Sequence, residues 1–109
     1  MAIHSTVLAR LFAALSDPTR LAVIDRLAEG PASVGTLQAP FAMAGPSFLK
    51  HLGVLEEAGL VASEKQGRVR MVRLVPERLA PVQDWLAAHR RAWDDRLDRL
   101  GAFLDEDSE

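Results

Sequence analysis

Apolar residues in the first third of the chain recur every three or four positions, the spacing of one face of an α-helix. They predict a helix over residues 6–15. A second helix is expected to start at Asp17 and Pro18, a suitable cap and first helical residue, and to end at Gly30 and Pro31. The expected inward residues are Val7, Leu8, Leu11, Phe12 and Leu15 of the first helix and Leu21, Ile24 and Leu27 of the second.

The next segment predicts two more helices joined by a tight turn. Ser33 can cap a short helix over residues 33–41, and Gly45 opens a longer helix over residues 45–58. The expected inward residues are Leu37 and Phe41 of the short helix and Phe48, Leu52 and Leu55 of the longer one.

The apolar period changes after residue 59. Residues 60–75 are rich in β-branched residues and contain Gln66-Gly67, a hairpin-turn signal, so they predict two antiparallel strands. The helical period returns after Pro76 and predicts a helix of about 25 residues, nearly 40 Å long, within residues 77–104. An acidic tail over residues 105–109 is expected to be frayed.

This order of elements predicts a mainly α-helical fold with one β-hairpin. A short helix, a tight turn, a second helix and a two-stranded ribbon form a winged helix-turn-helix. We therefore expect one such domain over residues 1–104, with a recognition pair at 33–58, a wing at 60–75 and a long C-terminal dimerisation helix at 77–104. The length of 109 residues suits a single small core.

The formal net charge of −2 conceals an uneven distribution of charge along the chain. Residues 1–43 are neutral, residues 44–75 carry five basic against three acidic residues, and residues 76–109 carry five arginines against nine acidic residues. A polyanion responds to the local field more than to the total charge. The basic middle third is therefore the segment expected to meet a polyanion.

Composition also narrows the classes of function. The sequence has no cysteine, which excludes disulfides, thiolate metal sites and cysteine nucleophiles. No apolar run approaches the ~20 residues that cross a bilayer. The N-terminus has neither a basic leader nor a cleavage pattern, so we expect a cytoplasmic protein without membrane contact. Scattered histidines and the lack of a glycine-rich phosphate loop argue against an enzyme.

The helix over residues 45–58 has a polar face that could enter a major groove about 12 Å wide. Positions 45, 47, 50, 51 and 54 are expected to turn outward. Ser47 and His51 could then reach base edges, and Lys50 could hold a phosphate. The hairpin offers further cations for the backbone or minor groove, namely Lys65, Arg68, Arg70 and Arg73. A solvated helix face and a charged edge strand are the simpler interpretation, and the pattern alone leaves both open.

Several motifs occur together and in order: the helix start DPTRL at residues 17–21, SVGTL at 33–37, and PSFLKHLGVLEEAGL at 46–60. Together they resemble the ArsR-type bacterial transcriptional regulators. The resemblance extends through GRVRMVRL and WLAAHRRAWDDRLDRL, so that it covers about residues 7–104. It implies a dimeric winged-helix repressor that binds a palindromic operator in double-stranded DNA and releases it when an unidentified small-molecule effector binds.

The resemblance also assigns roles to single residues. It places DNA contacts at Ser47, Lys50 and His51 of the recognition helix and at Arg68 and Arg73 of the wing, with Gly67 at the wing turn. Three positions depart from the usual pattern: Ala44 replaces a capping serine or threonine, Leu49 replaces a polar residue, and Arg70 replaces an inward valine. Leu49 could touch a thymine methyl group or pack against a neighbour. These departures concern the operator sequence rather than the mode of binding.

The family that the chain resembles is best known for metal sensing, but this sequence contains few residues suited to bind a metal ion. The family's metal sites use cysteine thiolates, or aspartate and histidine from paired last helices. Cysteine is absent, and the last helix has one histidine, His89, five residues after Asp84 and therefore on another face. We expect no metal and no other cofactor. His89 falls on the apolar stripe of the last helix, where a buried or interfacial position is expected.

The apolar stripe of the last helix predicts a homodimer. Its residues are Val82, Leu86, His89, Trp93, Leu97, Leu100 and Leu104. A helix of nearly 40 Å is longer than a core of this size can cover, so the stripe marks a partner surface. The first helix, with Leu8 and Phe12, can form part of that surface. A two-fold dimer would space its recognition helices ~34 Å apart. The alternatives are a stripe that packs on its own domain and a winged-helix module that binds a protein partner instead of operator DNA.

Overall fold

A computed structural model describes the backbone of residues 2–107 and the side chains of residues 6–105. The helices are α1 (Ala2–Leu15), α2 (Pro18–Leu27), α3 (Val34–Gln38), α4 (Gly45–Glu57) and α5 (Ala80–Asp107), with a 3-10 turn at Pro76–Leu79; the strands are β1 (Ala32–Ser33), β2 (Val61–Gln66) and β3 (Val69–Leu74). The structure is mainly α-helical with a β-hairpin, as predicted. It divides after Leu79 into two compact units, the second of which is α5.

Helix α2 turns a different face inward from the one predicted. Val23 and Leu27 are buried, whereas Leu21 is 46% exposed and Ile24 is partly exposed. The prediction of Leu21 and Ile24 as buried residues was therefore wrong. Five of the seven residues of LAVIDRL are apolar, so their spacing alone does not determine which side of the helix faces the core.

Local hydrogen bonds set the starts of α2 and α3. The Asp17 carboxylate accepts hydrogen bonds from the backbone N–H groups of Thr19 (2.8 Å) and Arg20 (3.1 Å), as expected of an N-cap. Ser33 Oγ accepts from the N–H of Thr36 at 3.0 Å. Helix α3 ends at Gln38 rather than at residue 41, since Pro40 cannot donate a backbone hydrogen bond and disfavours a helical residue before it.

Helix α4 closely follows its predicted bounds. Ala44 precedes it without a side-chain cap bond. At the other end Gly59 adopts a φ of +79°, and the backbone bonds Leu60 N to Leu55 O and Gly59 N to Glu56 O form a Schellman motif. Phe41 lies beyond α3 and stacks on the buried Phe48 ring at 5.7 Å between centroids.

The wing belongs to a three-stranded antiparallel sheet with the order β1-β3-β2. Strand β1 pairs Ala32 with Val72, an addition that the sequence did not predict because two residues show no period. The hairpin turn occupies residues 67–68, one position later than expected, and only Gly67 has a positive φ, +66°. This is the pattern of a type II′ turn, which matches the twist of the two strands.

Helix α5 begins after the 3-10 turn and continues to Asp107, so part of the predicted acidic tail is helical; residues 108–109 lie outside the described range. His89 is exposed rather than buried, and its ring lies 4.2 Å from the Trp85 ring between centroids. The apolar side chains exposed along this helix are Trp85, Leu86, Trp93, Leu97, Leu100, Phe103 and Leu104. Between residues 2 and 107, no helix is both long enough and apolar enough to span a bilayer.

Candidate nucleic-acid interface

Helix α4 separates an apolar face from a polar one. Phe48, Leu52 and Leu55 are at most 5% exposed. Lys50, two positions after Phe48, projects from the opposite side of the helix, because successive residues are about 100° apart. Of the positions predicted to turn outward, residues 47, 50 and 54 are exposed, whereas residues 45 and 51 are partly buried.

His51 points toward the start of α2 and is not fully outward as predicted. Its side chain is 23% exposed, with Nδ1 3.6 Å from Oδ2 of Asp17 and 3.0 Å from Nη1 of Arg20. Position 51 lies only about 60° around the helix from Phe48, and this places it on the flank of the buried face. The small angle between His51 and Phe48 around the helix therefore explains why His51 is less exposed than predicted.

Arg20 connects three helices through its guanidinium group. Its Nε donates to the carbonyl of Ala14 at 2.6 Å and its Nη2 to the carbonyl of Ala13 at 3.2 Å. These carbonyls belong to the last turn of α1, where that of Ala13 also accepts from the N–H (3.2 Å) and the hydroxyl (2.7 Å) of Ser16. The third nitrogen, Nη1, meets His51 of α4. No functional role for Arg20 was predicted from the sequence, although its place in the DPTRL motif was an available signal.

Asp17 lies beside this network as a carboxylate. Its partial burial opposes ionisation, but the N–H of Arg20, the nearby His51, the N–H of Thr19 and the Arg20 side chain together outweigh that effect. The pKa of Asp17 is therefore held below its ordinary value of 3.8. An anionic Asp17 and a cationic Arg20 thus both face His51.

The predicted wing cations lie on different faces of the sheet. Side chains alternate along a strand, so Arg70 shares the face of the buried Val72, and its cross-strand partner Lys65 lies on that face too. Arg73, paired with Ala62, lies on the opposite face near the base of the wing. Arg68 is exposed at the turn. The structure therefore brings Lys65, Arg68 and Arg70 together and separates Arg73 from them.

Arg70 is engaged within the protein. Its Nη1 donates to Ser63 Oγ at 3.0 Å, and Ser63 Oγ donates to the Glu56 carboxylate of α4 at 2.6 Å. This chain of hydrogen bonds joins the wing to α4. Beside it, a groove of about 480 Å³ is lined by Leu49, Arg68, Arg70 and the start of α3. Leu49 is 54% exposed there.

No group of three or more metal-ligating side chains that could hold an ion occurs within the part of the chain that the structure describes.

The fold and these motifs can be compared with known proteins. The family profile described as a helix-turn-helix domain matches residues 15–64. The HTH-type transcriptional regulator Rv2034 of Mycobacterium tuberculosis is 34% identical over 100 residues, which cover 92% of this chain and 91% of that protein. The crystal structure of the ArsR family transcriptional regulator RHA00566 is 46% identical, with a TM-score of 0.78, and the match covers 83% of this chain and 93% of that one. The chain belongs to the ArsR family of transcriptional regulators.

Membership of the ArsR family confirms the predicted family and the winged helix-turn-helix fold. It also confirms that the protein is a transcriptional regulator and not an enzyme. A further solved structure, the homodimeric winged helix-turn-helix DNA-binding domain (residues 1–100) of Mb0332 from Mycobacterium bovis, is 26% identical with a TM-score of 0.66. That match covers 90% of this chain and 88% of the other.

Proposed function

We propose that this ArsR regulator is a homodimeric repressor that binds a palindromic operator in double-stranded DNA. The observation that best supports the proposal is the exposed polar face of α4 beside a cationic wing tip. Lys50 projects from α4 opposite its buried residues, and Lys65 and Arg68 are exposed at the end of the hairpin. Two basic elements joined by the Glu56–Ser63–Arg70 hydrogen bonds suit a duplex, whose phosphates flank each groove.

In this proposal α4 enters the major groove with its N-terminal half. Ser47 is exposed on the first turn and can donate to a phosphate or a base edge. The positive end of the helix dipole and the N–H groups of the first turn favour a phosphate at the same place. Lys50 then contacts the backbone, while Leu49 can meet a thymine methyl group.

We assign different roles in DNA binding to the four cations of the wing. Lys65 and Arg68 are free to contact phosphates, since neither forms a hydrogen bond or ion pair with another described residue. Arg70 is held toward α4 through Ser63, so we assign it to the orientation of the wing before any contact with DNA. Arg73 lies on the other face of the sheet, so we assign it no phosphate contact.

The dimer is supported by α5. Trp93, Leu97, Leu100 and Leu104 are each 54–60% exposed at spacings of four, three and four residues. Such a stripe, continued over several turns, marks a surface that a second copy can cover. The Mb0332 domain, which has a similar fold, is a homodimer, and this supports the proposal of a dimer. Release of DNA by a small-molecule effector stays a prediction.

Two measurements test the proposal. Sedimentation should give twice the 11.9 kDa mass of one chain, and a labelled fragment of the protein's own promoter should be bound in a salt-dependent manner. Transcription from that promoter should fall when the protein is present. A chain that sediments as a monomer, or that binds no duplex at low salt, contradicts the proposal.

The exposed Leu49 favours one other function, a winged-helix module that binds a protein partner. The combined substitution Lys50→Ala and Arg68→Ala separates the two. Loss of promoter binding supports DNA recognition by α4 and the wing. Unchanged promoter binding would instead leave this surface free for a protein.

A further inference from the structure

We infer that Arg20 is a positioning residue for DNA binding, which holds His51 of α4 as an N–H donor toward the duplex. The inference rests on the proposed function, because it takes α4 as the DNA-contacting helix. Arg20 itself lies on α2 and need not touch DNA. Its role is to set the orientation and the tautomer of a side chain that does.

The guanidinium group of Arg20 is fixed on two sides. Nε and Nη2 donate to the carbonyls of Ala14 and Ala13 at the end of α1, at 2.6 and 3.2 Å. The planar, rigid fork of an arginine then determines where the remaining nitrogen points. Nη1 reaches Nδ1 of His51 at 3.0 Å. The end of α1 is therefore the reference point from which His51 is placed.

This contact determines which ring nitrogen of His51 carries the proton. An arginine nitrogen can only donate, so Nδ1 must accept, and the neutral ring then carries its proton on Nε2. Nε2–H has no hydrogen-bond partner among the described residues. Protonation at Nδ1 would direct that hydrogen toward Asp17, 3.6 Å away, but would also place it against Nη1 of Arg20. Arg20 therefore opposes this alternative.

The position of His51 on α4 gives the free N–H its use. His51 lies four residues after Ser47, so both are on one side of the helix, and Ser47 is exposed there. An Nε2–H group next to the Ser47 hydroxyl forms a pair of donors for a phosphate oxygen or for an acceptor on a base edge. A lysine at position 20 would keep the charge but could not hold two carbonyls and the ring in one plane.

A double-mutant cycle on promoter binding tests the inference. The variants are Arg20→Met, which keeps most of the aliphatic stem, His51→Ala, and the combination of both. Each single change removes one hydrogen bond per protomer, two per dimer, and should weaken binding about a hundredfold, the lower end for two hydrogen bonds to charged groups. The double variant should bind within about twofold of His51→Ala, because Arg20 acts only through His51. Losses that multiply to about ten-thousandfold would overturn the inference.

Arg10→Met is the matched control. Arg10 is exposed on α1 and lines the same open groove as Arg20, but it has no bond to His51 or to the carbonyls of α1. It should change promoter binding by less than twofold. An effect as large as that of Arg20→Met would show that general charge, not the placement of His51, is responsible. Arg20→Lys, with thermal unfolding measured alongside, covers the case in which Arg20→Met does not fold.

The tautomer of His51 supplies an independent readout. Nitrogen NMR of the imidazole rings, with the His51 signal assigned by its loss in His51→Gln, should show the Nε2–H form in the wild-type chain. Arg20→Lys should produce a mixture of tautomers. A wild-type ring protonated on Nδ1 overturns the inference. Failure of the wild-type chain to bind DNA overturns the proposed function as well, whereas DNA binding with multiplicative losses overturns only the role of Arg20.

Discussion

The salt dependence of promoter binding is the most direct consequence of the arrangement of cations. Lys50, Lys65 and Arg68 are the exposed cations assigned to phosphates, and a dimer carries six of them. Each phosphate contact contributes about −0.9 to the slope of log K against log salt concentration. The wild-type dimer should therefore show a slope near −5.4, which weakens binding about 2,000-fold between 50 and 200 mM salt.

Arg68→Ala removes one contact per protomer, two per dimer, so the slope should change to about −3.6 and the loss over the same range to about 150-fold. Fluorescence anisotropy of a labelled promoter fragment, titrated at four or more salt concentrations, measures both slopes. Arg73→Ala is the matched control, because it removes the same charge from the opposite face of the sheet. Its slope should equal that of the wild type. Equal slopes for Arg68→Ala and the wild type would refute the assignment of faces. A slope near −3.6 for Arg73→Ala would refute it as well.

Three further predictions concern stability and assembly. Gly59→Ala should destabilise the fold by about 1–2 kcal/mol, because φ is +79° there. Gly53→Ala, with open space around it, should instead stabilise α4 by up to ~1 kcal/mol. Urea unfolding measures both changes, and equal effects would contradict the Schellman motif at the end of α4. Leu97→Glu places a charge on the exposed stripe of α5 and should leave a folded monomer in sedimentation; an intact dimer would exclude this residue from the interface. The pKa of Asp17 is lower in the folded state, so its contribution to stability is present above about pH 4 and is lost as the pH falls further. The Asp17→Asn variant should therefore lose less stability than the wild type between pH 5 and 3. Parallel plots of unfolding free energy against pH for the two proteins would contradict this.

Helix boundaries were predictable where a single residue type determines them. Asp17 and Ser33 accept hydrogen bonds from backbone N–H groups near the helix start, and Gly59 takes the positive φ that other residues avoid. Such effects act over three or four residues and are visible in the sequence. The face that a helix buries was less predictable for α2, whose LAVIDRL segment is apolar on several sides.

Local sequence patterns could not predict the tertiary hydrogen bonds. Arg20 and His51 are 31 positions apart, and no periodicity relates them. The same holds for Arg70, which the sequence presents as a wing cation at a position usually held by an inward valine, and not as a partner of Ser63, seven positions away. The candidate surface was predicted as a set of residues, but its division into free and engaged cations depended on the fold.

The uneven placement of the acidic residues explains how a chain of negative net charge can present a cationic surface, since nine of the fifteen lie in residues 76–109. Glu56 accepts a hydrogen bond from Ser63, which in turn accepts from Arg70, so that a carboxylate and a guanidinium group partly neutralise each other next to the wing. Lys65 and Arg70 are directly opposed across the strands, and such like charges repel unless another group compensates. The nearest acidic group in this chain of hydrogen bonds is Glu56, which reaches Arg70 only through the Ser63 hydroxyl. The cations left without such a partner on this surface are Lys50, Lys65 and Arg68, and for this reason the N-terminal half of α4 and the tip of the wing, rather than the whole basic segment, are the parts we assign to DNA.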